Sequence, residues 1–130
     1  MDILLDTVTF LWWMEGNRRL PAVLVDRLRD PQNRVYLSAV SAWEMALKHG
    51  AGKLKLPSPP AEFVPEARRH HGIAALPVLE EETVQVGKLP ALHADPFDRL
   101  LVAQAIVRGL ALATPDPMIQ AYPCRCVWQT

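Results

Sequence analysis

Short apolar runs alternate with helix-forming stretches along this chain, and at four of the handovers stands a carboxylate. Asp6 closes Ile3-Leu4-Leu5, and Glu44 opens a helix soon after Val35-Tyr36-Leu37. Asp98 lies in Asp95-Pro96-Phe97-Asp98-Arg99 at the head of a long apolar helix, and Asp116 follows Leu110-Ala111-Leu112-Ala113-Thr114. Alternation of strand and helix favours a three-layer α/β/α sandwich with a mostly parallel sheet. In such a sheet these strand ends share one edge, the edge where open α/β folds bind ligands. Four carboxylates gathered there repel one another unless a hard cation sits among them. The pattern points to a Mg²⁺ site, with Mn²⁺ as a substitute.

The expected elements fill a single domain over residues 1–130. A strand at 2–6 leads into a helix capped by Thr7 and ended by Gly16 and Asn17. A second helix has Pro21 in its first turn and Val23, Leu24, Val25 and Leu28 on its core face. A strand at 34–38 precedes a helix over about 42–49, stopped by Gly50 and Gly52. After the Pro-rich connection 54–60 come a helix at 61–71, a strand at 73–78 and a helix at 80–88. The longest helix, 96–108, ends at Gly109. A strand at 111–114, a helical turn at 117–121 and an edge strand at 125–128 complete the chain.

Bulk composition narrows the function. Half of the residues are hydrophobic, which argues against disorder, and no apolar run nears the roughly 20 residues of a membrane span. With Asp2 and Asp6 at the start, a secretory leader is not expected, and the expected location is cytoplasmic. Lys and Arg total 14, as do Asp and Glu, so no global positive field advertises nucleic acid. RNA stays open, because a metal brings its own charge to a phosphate. Cys124 and Cys126 have no zinc-spaced partners and suit reduced, partly packed thiols better than a redox role.

Each acid also has a purely structural explanation. Ser41-Ala42-Trp43-Glu44 has capping-box spacing, while Asp95-Pro96 and Asp116-Pro117 read as an N-cap followed by a proline at N1. Such caps are worth about 0.5–2 kcal/mol, enough to explain an acid without a ligand. Asp6 is harder to explain that way, since Thr7 is the more natural cap. Capping does not require convergence; a metal site does. With open positions on one or two ions for a phosphate oxygen and an attacking water, the chemistry is that of a nuclease.

Several pieces together resemble the PIN-domain ribonucleases, specifically VapC-type toxins of bacterial toxin–antitoxin pairs. They are Leu4-Leu5-Asp6-Thr7, Leu11-Trp12-Trp13, Ser38 to Glu44, Lys48 to Leu54, His93 to Ala105, Thr114-Pro115-Asp116 and Tyr122-Pro123. The resemblance implies an endoribonuclease whose quartet Asp6, Glu44, Asp98 and Asp116 binds Mg²⁺, with Asp95 as a helper ligand or only a cap. It implies Thr114 as a contact behind the last acid. It also implies a VapB-like antitoxin partner, a homodimer and a toxin–antitoxin hetero-oligomer. Val8 stands where many relatives carry His, and Pro115 and Pro117 restrict Asp116, with an outward shift of that carboxylate expected.

Secondary features have competing readings. Arg99 contacts a substrate phosphate or holds an acid. Arg68 and Arg69, with His70 and His71, form a solvated helix end or an RNA contact, and Lys48 and Lys53 form a second basic stretch. His93 is expected as a turn residue. Of Trp12 and Trp13, one suits the core and the other an interface. The rival functions are a catalytically silent PIN-like module that binds RNA or assembles complexes, and a haloacid-type phosphatase or receiver. The phosphatase pattern lacks its second Asp, since position 8 is Val, and a receiver lacks its paired acids ahead of the phosphorylated Asp and its later Lys at a strand end.

Overall fold

The computed structural model describes residues 1–129. Its centre is strand β1 (Asp2–Leu5), in which Ile3, Leu4 and Leu5 are wholly buried. A strand buried on both faces reads as an unbroken apolar run. Strands β2 (Arg34–Ser38) and β4 (Ala111–Ala113) flank it in parallel register, Leu4 pairing with Tyr36 on one side and Leu112 on the other. Adding β3 (Ala74–Leu76) and β5 (Cys126–Val127) gives a fully parallel sheet of order β3-β2-β1-β4-β5.

Helices α1 (Thr7–Glu15), α2 (Ala22–Arg29) and α4 (Pro60–His71) cover one face. There Phe10, Trp13, Leu24, Leu28 and Val64 pack against Ile3, Leu5, Val35 and Leu37. Helices α6 (Pro96–Arg108) and α7 (Pro117–Gln120) cover the other, where Leu101, Val102, Ala105 and Ile119 meet Leu4 and Leu112. Side chains burying this much apolar surface each stabilise the fold by about 1.5–3 kcal/mol. Helix α3 (Ala39–Gly50) serves both layers, since Val40 joins one core and Met45 the other. The remaining helix, α5 (Glu80–Gln85), runs into a 3-10 turn at Val86–Lys88. Among the described residues no helix is long and apolar enough to cross a membrane.

Several expected boundaries move, each for a local reason. Asp6, not Thr7, caps α1, its carboxylate accepting from the Thr9 N–H at 2.8 Å. Helix α3 starts three residues early because Ser38 caps it through the Val40 N–H at 3.0 Å. The Ser41–Glu44 capping box is therefore not formed, and both residues lie buried inside the helix. Pro77 lacks the N–H to continue β3, so the strand stops at Leu76. Helix α4 runs through Pro65, which forfeits one internal hydrogen bond. Gly16 and Gly109 close α1 and α6 at φ 65 and 68, a left-handed conformation that costs a side-chain-bearing residue energy. Trp13 is buried in the core, while Trp12 is half-buried between Trp128 and the Arg19 guanidinium.

Candidate metal centre

The β1 connection proceeds to β2 and the β4 connection to β5, in opposite directions along the sheet. The gap between β1 and β4 is thus the topological switch point, where open α/β sheets bind ligands beyond the strand ends. Asp6 leaves β1 there and donates its backbone N–H to the Ala113 carbonyl at 3.1 Å. Thr114, wholly buried, leaves β4 and accepts the Asp116 N–H on its hydroxyl at 3.1 Å.

Three acids cap helices with one oxygen, Oδ1. Asp6 takes the Thr9 N–H, Asp116 the Met118 N–H (2.9 Å), and Asp95 both the Phe97 and Asp98 N–H groups (2.8 and 3.0 Å). Capping and convergence are therefore compatible. Asp116 shows both at once: its Oδ1 holds α7 while Oδ2 lies 3.7 Å from His93 Nε2. The bracketing prolines do not swing this carboxylate away from the edge.

Asp98 sits at the third position of α6 and reaches His93 Nε2 through Oδ2 at 2.9 Å. His93, Asp98 and Asp116 each present a ligand atom, and all three atoms lie within 4.8 Å of one another. Asp6 and Glu44 stand outside this tight trio but within electrostatic reach. Burial pushes the Asp98 carboxyl up to about 6, and the charges of Asp95, Asp6 and Glu44 add to that rise against the His93 hydrogen bond. Burial likewise raises Asp6 above the usual carboxylate range, despite hydrogen bonding from Thr114 and Thr9, and the Asp116 charge adds to it.

Glu44 is buried and held from two sides. Thr7 Oγ1 lies 2.6 Å from its Oε1 and 2.9 Å from Ser41 Oγ. A hydroxyl has one hydrogen, and a carboxylate only accepts, so Thr7 donates to Glu44 and receives from Ser41. Lys48 Nζ reaches Glu44 Oε2 at 2.5 Å, a contact that raises the lysine above its ordinary value. Lys48 is thus drawn to the acid edge.

Other expectations need correction. Arg68 donates to the Ala74 and Leu37 carbonyls at 2.7 and 2.9 Å, so its guanidinium ties α4 to β2 and β3. Arg99 donates to Pro90 O, Val86 O and Tyr122 Oη, clamping the loop before α6 rather than holding an acid. Tyr122 Oη accepts the His93 backbone N–H at 2.9 Å, so this clamp sets the position of the histidine. His93 is therefore more than a turn residue. No helical or strand period links positions 93 and 98, which is why spacing did not reveal the pair. Lys53 and Arg69 remain exposed, and so does Trp43, which stands edge-on to Phe97 at 4.8 Å beside the site. Cys124 and Cys126 are free thiols 3.8 Å apart, and burial pushes Cys124 up to about 12.

The donor set fits a hard divalent ion: carboxylate oxygens, poorly solvated and mutually repelling, whose ionised form such an ion would stabilise. Comparison with known proteins agrees with this architecture. Ribonuclease VapC16 of Mycobacterium tuberculosis is 42% identical over 64 residues, covering 46% of this chain and 45% of that protein. The match thus spans less than half the length of that relative. VapBC2 from Rickettsia felis, bound to a DNA fragment from its promoter, has a TM-score of 0.75 at 17% identity over 98% of this chain and 99% of that one. VapBC-1 from nontypeable Haemophilus influenzae gives 0.66 at 16% identity, over 99% and 98%. At such identities the likeness is one of fold. The PIN domain family model matches residues 3–123, nearly the whole chain. The chain belongs to the PIN-domain family.

Proposed function

We propose that this chain is a metal-dependent endoribonuclease toxin that takes Mg²⁺, or Mn²⁺ in its place, and is silenced by a VapB-like antitoxin. The observation that carries the reading is the convergence of His93, Asp98 and Asp116 at the switch point of the sheet, with Asp98 pushed up to about 6 by burial and by the charges of Asp95, Asp6 and Glu44. Asp98, Asp116, Asp6 and Glu44 would hold the ion, with Thr114 positioning Asp6 and Asp116 from behind. A bound divalent ion supplies polarisation of the phosphodiester and a lowered pKa for the attacking water. Thr7 and Lys48 hold Glu44 in place from two sides. Asp95, whose Oδ1 is taken up by two backbone N–H groups, serves α6 as its cap.

The edge is half-open, with Asp98 and Asp116 side chains 20% and 34% exposed, which suits a polymer lying across it better than a small enclosed substrate. Lys53 and Arg69 are exposed cations open to the RNA backbone. The resemblance to VapC16 and the fold shared with VapBC complexes support a toxin paired with an antitoxin; a homodimer within a hetero-oligomer in the cytoplasm belongs to the same proposal. The test is cleavage of total RNA with Mg²⁺ or with EDTA, by wild type, Asp6→Asn and Asp98→Asn. Metal-dependent cutting by wild type alone is expected. Cutting that survives both substitutions overturns the assignment.

A further inference from the structure

We infer that His93 is a ligand of this metal centre through Nε2, and that its nitrogen tilts the site from Mg²⁺ toward Mn²⁺ and other first-row divalent ions. The inference rests on the metal-dependent reading above and names a residue outside its carboxylate set. Three observations lead to it. His93 Nε2 is 2.9 Å from Asp98 Oδ2 and 3.7 Å from Asp116 Oδ2. Neighbouring ligands on an octahedron with bonds of about 2.1 Å stand roughly 3 Å apart, so the first spacing, that of a hydrogen bond, also suits two ligands on one ion once the ion displaces the proton between them to solvent. The second needs a shift of under about 1 Å, within the reach of a carboxylate turning about its own bond.

The histidine is also held from outside the cluster. Its backbone N–H is fixed by Tyr122 Oη, which Arg99 engages at 3.0 Å while gripping the Pro90 and Val86 carbonyls. Arg99 sits one residue beyond Asp98 on α6, so the same turn that presents the carboxylate anchors the backbone at the histidine. The His93 side chain is only 17% exposed, so its contact with Asp98 meets little competition from water.

The chemical consequence is selectivity. Mg²⁺ prefers all-oxygen surroundings, whereas imidazole favours first-row transition metals. Two carboxylate oxygens and one nitrogen on adjacent positions leave open places for water and phosphate.

The experiment titrates the full chain, free of metal, with MgCl₂ and separately with MnCl₂, for wild type, His93→Gln and the exposed, remote control His70→Gln. Wild type is expected to bind Mn²⁺ more tightly than Mg²⁺. His93→Gln is expected to lose about 10-fold or more in Mn²⁺ affinity with less than about 3-fold change for Mg²⁺, since weakening one support of a metal site costs about 10–100-fold. Pulsed electron paramagnetic resonance of the Mn²⁺ form supplies a readout that needs no substitution. A nitrogen coupling that changes on ¹⁵N-histidine labelling supports ligation. Tighter Mn²⁺ binding in His93→Gln, equal losses for both ions, or a missing nitrogen coupling would make His93 a plug or a prop and overturn the inference. Absence of binding of either ion to wild type overturns the metal reading itself.

Discussion

Glu82 and Asp98 are both acids shielded from water, yet their surroundings treat charge in opposite ways. Glu82, with no exposed surface, accepts from the Leu79 N–H, Gln104 Nε2 and the Arg108 guanidinium. Burial pushes its carboxyl up, but these donors outweigh burial and hold it below the ordinary value. Gln104 passes the network on to Ser38, whose hydroxyl also caps α3. Asp98 has one histidine nitrogen as its partner and three further acids near it. One acid site is complete within the protein; for the other we propose that a bound cation supplies the missing positive charge. An acid with its donors all supplied builds structure, and an acid left short of positive charge marks the place of chemistry.

The largest expected effect breaks the second region. Asp98→Asn lowers RNA cleavage by at least about 100-fold, since loss of even a supporting contact behind a metal ligand costs about 10–100-fold. Its melting temperature without metal stays at or above that of wild type. Glu82→Ala is the mirror image: it costs about 2–3 kcal/mol in urea unfolding, because Gln104, Arg108 and a backbone N–H lose their acceptor together. Cleavage per folded molecule is retained. If Glu82→Ala abolished activity without loss of stability, the distinction between the two regions would fall.

The pH dependence separates them next. Asp98 titrates near 6 in the folded protein and near its ordinary lower value when unfolded, so without divalent ions stability falls as pH rises between about 4 and 6. Asp98→Asn is then more stable than wild type at pH 7.5 by about 1–2 kcal/mol after allowing for solvent screening, and the gap closes near pH 4. Glu82, held below its ordinary value, contributes stability above that value and loses it as pH falls through the folded one. Urea melts at pH 4, 6 and 7.5 with EDTA check both signs. Ser38→Ala costs about 1–2 kcal/mol from the lost cap and the unpaired Gln104 oxygen. Smallest of all, Lys53→Ala leaves stability within about 0.5 kcal/mol. It lowers the salt slope of RNA binding by about 0.7, the value of one single-strand phosphate contact.

The two regions also differ in how legible they were. Asp6, Glu44, Asp98 and Asp116 stand at strand–helix handovers, and parallel α/β topology alone brings such positions to one edge. Nothing comparable announced Glu82, one of three consecutive glutamates on a short helix; only its packing against Arg108 and Gln104, far along the chain, singles it out. Arg68 looked like one more cation in a basic cluster, and the open carbonyls of Leu37 and Ala74 claimed it. Ser41 and Glu44 had the spacing of a cap, but Ser38 came first at the strand end and took that place.

Local chemistry settled where the chain turns from strand to helix, because apolar runs, caps and prolines act on their nearest neighbours. From those handovers the layered parallel sheet and its acidic edge follow. Which side chain answers which partner was decided by the folded shape alone. His93 found Asp98 through a loop held by Arg99 and Tyr122, and Thr7 found Glu44 across 37 positions of sequence. Hydrogen bonds are short-ranged and directional, so partners remote in sequence are chosen only once packing has set their distance.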